Sequence, residues 1–184
     1  MRTDLKRFNN DWYNPGASFF KQTVWFFVNG IFFKSSLFPS YRLKCFLLKL
    51  FGAKVGEGVV IKPNVNIKYP WRLKIGNHSW IGEEVWIDNL DTVTIGNNVC
   101  ISQGALLLCG NHHYKKPAFD LITGKITLED GAWVGAKTVV CPGVTIKEET
   151  VLTVGSIATS NCDSFSIYQG NPAKKIKDRV IRNV

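Results

Sequence analysis

The chain has 184 residues, 45% of them apolar and 20% charged, the length of one well-filled domain. Lys and Arg number 23 against 14 Asp and Glu, a net charge of +9, and residues 1–54 hold nine basic and two acidic side chains, so the excess is mostly N-terminal. The five cysteines (Cys45, Cys100, Cys109, Cys141 and Cys162) are odd in number and form no C-x-x-C pair, which argues against a disulfide framework or a zinc site and leads us to expect reduced thiols in cytoplasm.

In chain order, a first helix is expected over residues 17–33. Its apolar run, Phe19 to Phe33, is interrupted by Lys21 and Asn29 and falls short of the roughly 20 residues that span a bilayer. Asp4 and Asp11 sit where a signal peptide would be basic. A second helix comes after Pro39-Ser40, with Leu43, Phe46, Leu47 and Leu50 inward, Arg42, Lys44 and Lys49 on its wet side, and Gly52 at its end. Residues 1–54 thus read as a helical cap on the remainder of the chain. The aromatic and basic side chains of residues 17–51 also suit peripheral contact with a membrane.

From Val55 an aliphatic residue returns every six positions: Val55, Ile61, Ile67; Ile75, Ile81, Ile87; Ile95, Ile101, Leu107; Leu128, Val134, Val140; Ile146, Leu152, Ala158. Fourteen of these fifteen are Val, Ile or Leu, types that fill 46 of 184 positions, so chance supplies about four. Glycine stands second in the hexads at 56, 76, 82, 96 and 135, and the fifth position is small or β-branched except at Trp71, Asp91 and Asn111. This is the pattern of a hexapeptide solenoid, in which three short strands and three corners close one triangular coil. The expected architecture is mainly β, a parallel β-helix of about five coils over residues 55–170, with the helical cap below it.

The rhythm slips after Ile67, Ile87 and Leu107, each the third hexad of its coil. The insertions therefore stack on one edge, and the longest, about residues 113–127, should project as a loop. Gly170-Asn171-Pro172-Ala173 then turns the chain into a short basic tail, residues 171–184.

Only three histidines exist. His78 occupies an outward corner position, while His112 and His113 stand at the foot of the long insertion, where the repeat breaks most strongly. A base near neutral pH is expected there. Asp88 and Asn89 occupy the equivalent corner one layer away and are candidates for binding an acceptor. Trp80, Trp86 and Trp133 project from solenoid faces, and large apolar groups so placed call for a cover, such as further copies of the chain. No nucleoside-triphosphate loop is present, and no nucleic-acid partner is expected.

The hexads, Asn111-His112, the run Glu129-Asp130-Gly131-Ala132-Trp133-Val134-Gly135-Ala136, Val154-Gly155-Ser156 and Gly170-Asn171-Pro172-Ala173-Lys174 resemble the hexapeptide-repeat acyltransferases. Phe38-Pro39-Ser40, Tyr69-Pro70-Trp71, His78 to Glu83, Val85 to Leu90 and Pro117 to Ile122 narrow the likeness to the colanic acid biosynthesis acetyltransferase group, over nearly the whole chain. The resemblance implies a left-handed coil and a homotrimer with acetyl-CoA in the clefts between neighbouring prisms. It implies sugar O-acetylation by direct transfer in extracellular or capsular polysaccharide synthesis, without metal, on a free or lipid-linked acceptor, in the cytoplasm or at the inner face of its membrane. By the same analogy His112 is the catalytic base, with His113 as second candidate. Trp133, Gly135, Ala136, Gly155 and Ser156 would line the pantetheine path, Lys174 and Lys175 would meet the coenzyme phosphates, and backbone N–H groups of Trp133 to Ala136 would meet the oxyanion. Alternatives are another small hydroxyl acceptor, a gamma-carbonic-anhydrase-like metal enzyme, and a non-catalytic membrane scaffold.

Overall fold

The computed structural model describes residues 2–182; residue 1 of the expected cap and residues 183–184 of the expected tail lie outside the described residues. From residue 54 the chain winds into a triangular prism with three parallel faces. The first face stacks Lys54–Val55, Leu73–Ile75, Val93–Ile95, Ile126–Leu128 and Thr145–Ile146. The second stacks Val60–Ile61, Trp80–Ile81, Cys100–Ile101, Trp133–Val134 and Val151–Leu152, and the third Asn66–Ile67, Trp86–Asp88, Leu106–Leu108, Val139–Val140 and Ile157–Ala158.

All fifteen aliphatic positions of the repeat are buried on the prism axis. So are the twelve small or β-branched fifth positions, from Val59 to Cys162. Each buried aliphatic side chain contributes on the order of 1.5–3 kcal/mol relative to exposure, and the same contact recurs layer after layer. The second-position glycines have a steric cause. A Cβ on Gly135 would lie 2.6 Å from the Leu152 carbonyl oxygen of the next coil, so only glycine lets the coils approach to ladder distance. The fourth position of eleven hexads turns in the left-handed region, and Asn64, His78, Asn98, Lys137 and others tolerate it. Such a φ costs an L-residue free energy, which the ladder bonds on either side offset.

Beyond Ala158 the coil continues. Cys162 bridges to Ile146 on the first face, and Ser166–Gly170 adds a strand to the second, so five coils are complete and a sixth is begun. The residues after Gly170, expected as a tail, instead form Ala173–Asp178, which pairs antiparallel with Ser166–Gly170. A coil that simply stopped would leave the last strand's backbone groups open, and this hairpin satisfies one side of them.

The base is closed by helices α1 (Phe19–Val28), which widens into a π turn at Asn29–Phe33, and α2 (Tyr41–Leu50). Both have serine N-caps, the second as the sequence suggests: Ser18 Oγ accepts from Lys21 N–H and Ser40 Oγ from Leu43 N–H, each at 3.3 Å. Their inner side chains satisfy the first coil's open edge. Trp25 Nε1 donates to the Ile67 carbonyl at 2.8 Å, and Asn29 Oδ1 accepts from Ile67 N–H at 3.3 Å. Lys44, expected on the wet side of α2, is fully buried; its Nζ donates to the Lys62 carbonyl at 2.8 Å, and burial lowers its pKa. An edge carbonyl under the prism needs a donor, and a lysine stem is long and apolar enough to deliver one.

Candidate active site

The three insertions do stack on one edge, between the third and first faces. Asn89 locks the lower two together: its Oδ1 accepts from Tyr69 N–H at 2.9 Å and its Nδ2 donates to the Tyr69 carbonyl at 2.6 Å. Asn89 is fully buried. Both ends of its amide thus hold the corner, and it does not face an acceptor as expected. Asp88 is placed differently. Its Oδ1 pairs with Lys68 Nζ at 2.9 Å, and both residues line an open groove of about 660 Å³ between α1 and the third face, together with Tyr69 and Trp86.

The long insertion departs as a two-stranded hairpin, Gly110–His112 paired antiparallel with Leu121–Thr123. At Gly110 the tip of the Leu90 side chain, from the coil below, packs where a Cβ would be, so glycine gives that side chain room. At the end of the first strand, His112 Nδ1 lies 2.8 Å from the Phe119 carbonyl oxygen. A carbonyl can only accept, so Nδ1 carries the hydrogen and Nε2 of the neutral ring keeps its lone pair. The Phe119 ring also stacks on the imidazole, with centroids 4.5 Å apart and planes 9° from parallel. Phe119 reaches both contacts at φ 53°, a region a bulky side chain rarely adopts, at the end of a turn closed by its N–H on the Lys116 carbonyl. Strain of this kind gathers where geometry is needed for function.

His113 makes no such contact. Its backbone N–H donates to the Asp120 carbonyl at 2.8 Å, and successive residues of an extended strand point to opposite sides, so one imidazole alone takes the Phe119 position. His78 lies at another corner, and no cluster of three His, Cys, Asp or Glu side chains with metal-binding geometry occurs among the described residues. Cys109, three residues before His112, is fully buried and its pKa is pushed up to about 12 by burial, so it offers no thiolate nucleophile.

The N-terminal arm was not legible as part of the site. Asp4 N–H donates to the Pro117 carbonyl at 2.9 Å, Phe8 lies against His112 with ring centroids 5.7 Å apart, and Tyr13 Oη donates to the Leu90 carbonyl at 2.8 Å. Arg72 ties the arm down through the Asn14 and Leu90 carbonyls. The imidazole thus has one aromatic ring from its own loop and another from a segment about a hundred residues earlier.

The residues expected to hold a coenzyme gather at a different corner, between the second and third faces. Trp133 projects from the second face with Nε1 donating to Ser102 Oγ at 3.0 Å. Gly135, Ala136 and Gly155 stack at the adjoining corner, Gly155 N–H donating to the Ala136 carbonyl at 2.8 Å. No atom lies within 4 Å of where a Cβ on Gly155 would sit, so its flank is open. Two expectations change here. Ser156 is buried with its hydroxyl between Thr153 Oγ1 and Gly170 N–H, so its side chain holds the corner and does not face solvent. The N–H groups of Trp133 and Gly135 donate to Thr150 and Leu152 carbonyls at 2.8 Å and are not free for an oxyanion. Lys174 and Lys175 lie on the closing strand, Lys175 paired with Asp178 at 2.6 Å.

A triangular parallel coil whose projecting loop holds an oriented imidazole defines the hexapeptide-repeat acyltransferase class. The chain is 36% identical to Escherichia coli (strain K12) "Putative colanic acid biosynthesis acetyltransferase WcaF" over 165 residues, 90% of this chain and 91% of that protein. It belongs to the WcaF-like hexapeptide-repeat acetyltransferases. The galactoside O-acetyltransferase of the same organism is 31% identical over 72% of this chain and 66% of its own. Among solved structures, galactoside acetyltransferase in complex with coenzyme A is 26% identical with a TM-score of 0.75, covering 86% of this chain and 80% of that one. A Vibrio cholerae hexapeptide-repeat acetyltransferase complexed with acetyl coenzyme A superposes with a TM-score of 0.73 at 22% identity, covering 80% and 81% of the two chains. The likeness makes the coil left-handed, an exception to the usual right-handed crossover. No protein-family model matches the chain.

Proposed function

We propose that the enzyme transfers the acetyl group of acetyl-CoA to a sugar hydroxyl in cell-surface polysaccharide synthesis, in the cytoplasm, with His112 as general base. The observation that carries this is the Nδ1 hydrogen bond to the Phe119 carbonyl, which turns an Nε2 lone pair outward. Nε2 takes the hydroxyl proton as the sugar oxygen attacks the thioester carbonyl. The tetrahedral oxyanion then collapses, the C–S bond breaks, and the leaving thiolate takes the proton from the imidazolium. The acyl group passes directly between two bound substrates, so the rate gain comes from their placement and from proton transfer worth roughly 100-fold to 10,000-fold.

The proposed coenzyme corner and His112 occupy different corners of one prism, which favours a site completed between chains. A homotrimer would set the His112 edge of one chain against the Trp133 and Gly155 corner of its neighbour, and it covers outward tryptophans that water otherwise meets. In this reading Lys174 and Lys175 face the coenzyme phosphates, and Asp88 with Lys68 faces acceptor hydroxyls. The test is thiol release from acetyl-CoA across a panel of sugars. Wild type is expected to turn over at least one of them, and His112→Ala to lower kcat at least about 100-fold with coenzyme KM unchanged. Wild-type turnover in the variant, or release by wild type with no sugar dependence, contradicts the reading.

A further inference from the structure

From residue 12 to residue 56 the chain carries six basic and no acidic side chains. This is the whole of α1, α2 and their connection. Each helix buries the side that touches the prism: Trp25, Asn29 and Phe33 in the first segment, Lys44 and Leu48 in the second. The side turned away is set by the helical repeat. On the first segment it is Phe20, with Phe19, Phe27 and, one turn on, Ile31 along the rim of the groove shared with the third face; on α2 it is Arg42, Phe46, Lys49 and Leu50. These side chains are exposed, Phe20 by 78% and Phe46 by 61%, and Leu37 in the connection by 81%.

We propose that this outer face of the cap is a docking surface for an anionic lipid bilayer, lying in its headgroup region. Exposed aromatics among lysines and arginines are what an interfacial helix presents to lipid: rings enter the acyl boundary while cations stay at the phosphates. No helix among the described residues is long and apolar enough to cross a membrane, so the contact is peripheral. A second copy of the chain is the weaker occupant, because two acid-free basic faces brought together repel. The cap lies beneath the first coil, whereas the His112 hairpin leaves after the third. Docking therefore leaves the catalytic edge two layers higher, in water. Phe19, Phe27 and Ile31 also border the groove of Asp88 and Lys68, so the test is read on vesicle binding alone, without activity.

The test is co-sedimentation of the full-length protein with phosphatidylcholine vesicles with and without about one third phosphatidylglycerol. Wild type is expected to bind the anionic vesicles at least about 10-fold more strongly, and to lose most of that preference at about 0.5 M salt. Phe20→Ser/Phe46→Ser should weaken binding to anionic vesicles by about 10-fold or more with native mass by light scattering and unchanged thermal melting. Arg42→Gln/Lys49→Gln, which keeps every apolar group, should remove part of the salt dependence. Wild type that stays in the supernatant with both vesicles overturns the proposal. So does a Phe20→Ser/Phe46→Ser protein that loses native mass while vesicle binding persists, which makes the face a contact between copies.

Discussion

The Nδ1 hydrogen of His112 is fixed by one carbonyl, and that carbonyl is aimed by the φ of one residue, Phe119. Phe8, from the arm, packs at a tilt against the same imidazole. An aromatic contact of this kind is worth about 0.5–1.5 kcal/mol, so Phe8→Ala should lower kcat by about 2- to 10-fold while the coenzyme KM holds, and Phe8→Tyr should retain the rate. Steady-state kinetics of the two variants decide it; an alanine variant with wild-type kcat means that the ring only covers surface. His112 was legible in the sequence because the six-residue rhythm breaks beside it. Phe119 was visible only within a family likeness, with nothing in its local pattern to show that its carbonyl turns back seven residues. Phe8 carried no signal at all, since the contact depends on where a non-repetitive arm lies. Asn89 and Ser156 illustrate the converse: polar residues at corners read as ligand contacts, yet burial turns their hydrogen bonds to neighbouring groups of the coil, the Tyr69 backbone for Asn89 and Thr153 Oγ1 and Gly170 N–H for Ser156.

At the scale of elements, the corner between the first and second faces carries a ladder. Asn77 Oδ1 accepts from Glu57 N–H, Asn97 Oδ1 from Asn77 N–H, and Asp130 Oδ1 from Asn97 N–H, at 2.9, 2.8 and 2.8 Å. The Asn97 side chain and backbone donate to both Asp130 oxygens and hold that carboxyl below its ordinary pKa. A carboxylate with a depressed folded pKa stabilises the fold above its unfolded pKa and stops doing so as pH falls through the folded value. Asn97→Ala should therefore lower stability at neutral pH, by less than about 1 kcal/mol because Asp130 is exposed and its charge screened, and the deficit should shrink below the ordinary aspartate range. Thermal melts of wild type and variant across that range check it; a deficit independent of pH would remove Asp130 from the account. The coil was legible in its period, its three faces and its buried positions, because six-residue spacing with glycine and small residues in fixed places suits stacked triangular layers, but its hand came only from the family likeness. The helices were legible in type and in the Ser40 cap, but Phe46 and Leu50, read as inward, are exposed, and Lys44, read as wet, is buried; Lys44 shows why. Its burial answers an unpaired edge carbonyl, which no helical periodicity reveals. The closing hairpin was missed for the same reason, since its strand, Ala173–Asp178, has the composition of a solvated tail.

For the whole molecule, the prism separates the two halves of the proposed site. The hairpin with His112 leaves one corner, and Trp133, Gly135 and Gly155 line another. A single chain that worked alone would have to bend a rigid ladder, whereas neighbours around a threefold axis need only face each other. Mixed assemblies test this most directly. Refold His112→Ala chains together with Gly155→Arg chains, which keep His112 but block the open glycine flank, and measure acetyl transfer to the sugar that wild type accepts. Each variant alone should be nearly inactive, and the equal mixture should regain about one quarter of wild-type activity, the share of intact junctions in random rings of three. A mixture as inactive as its parents, though trimeric by mass, would place both halves of the site in one chain and contradict the account.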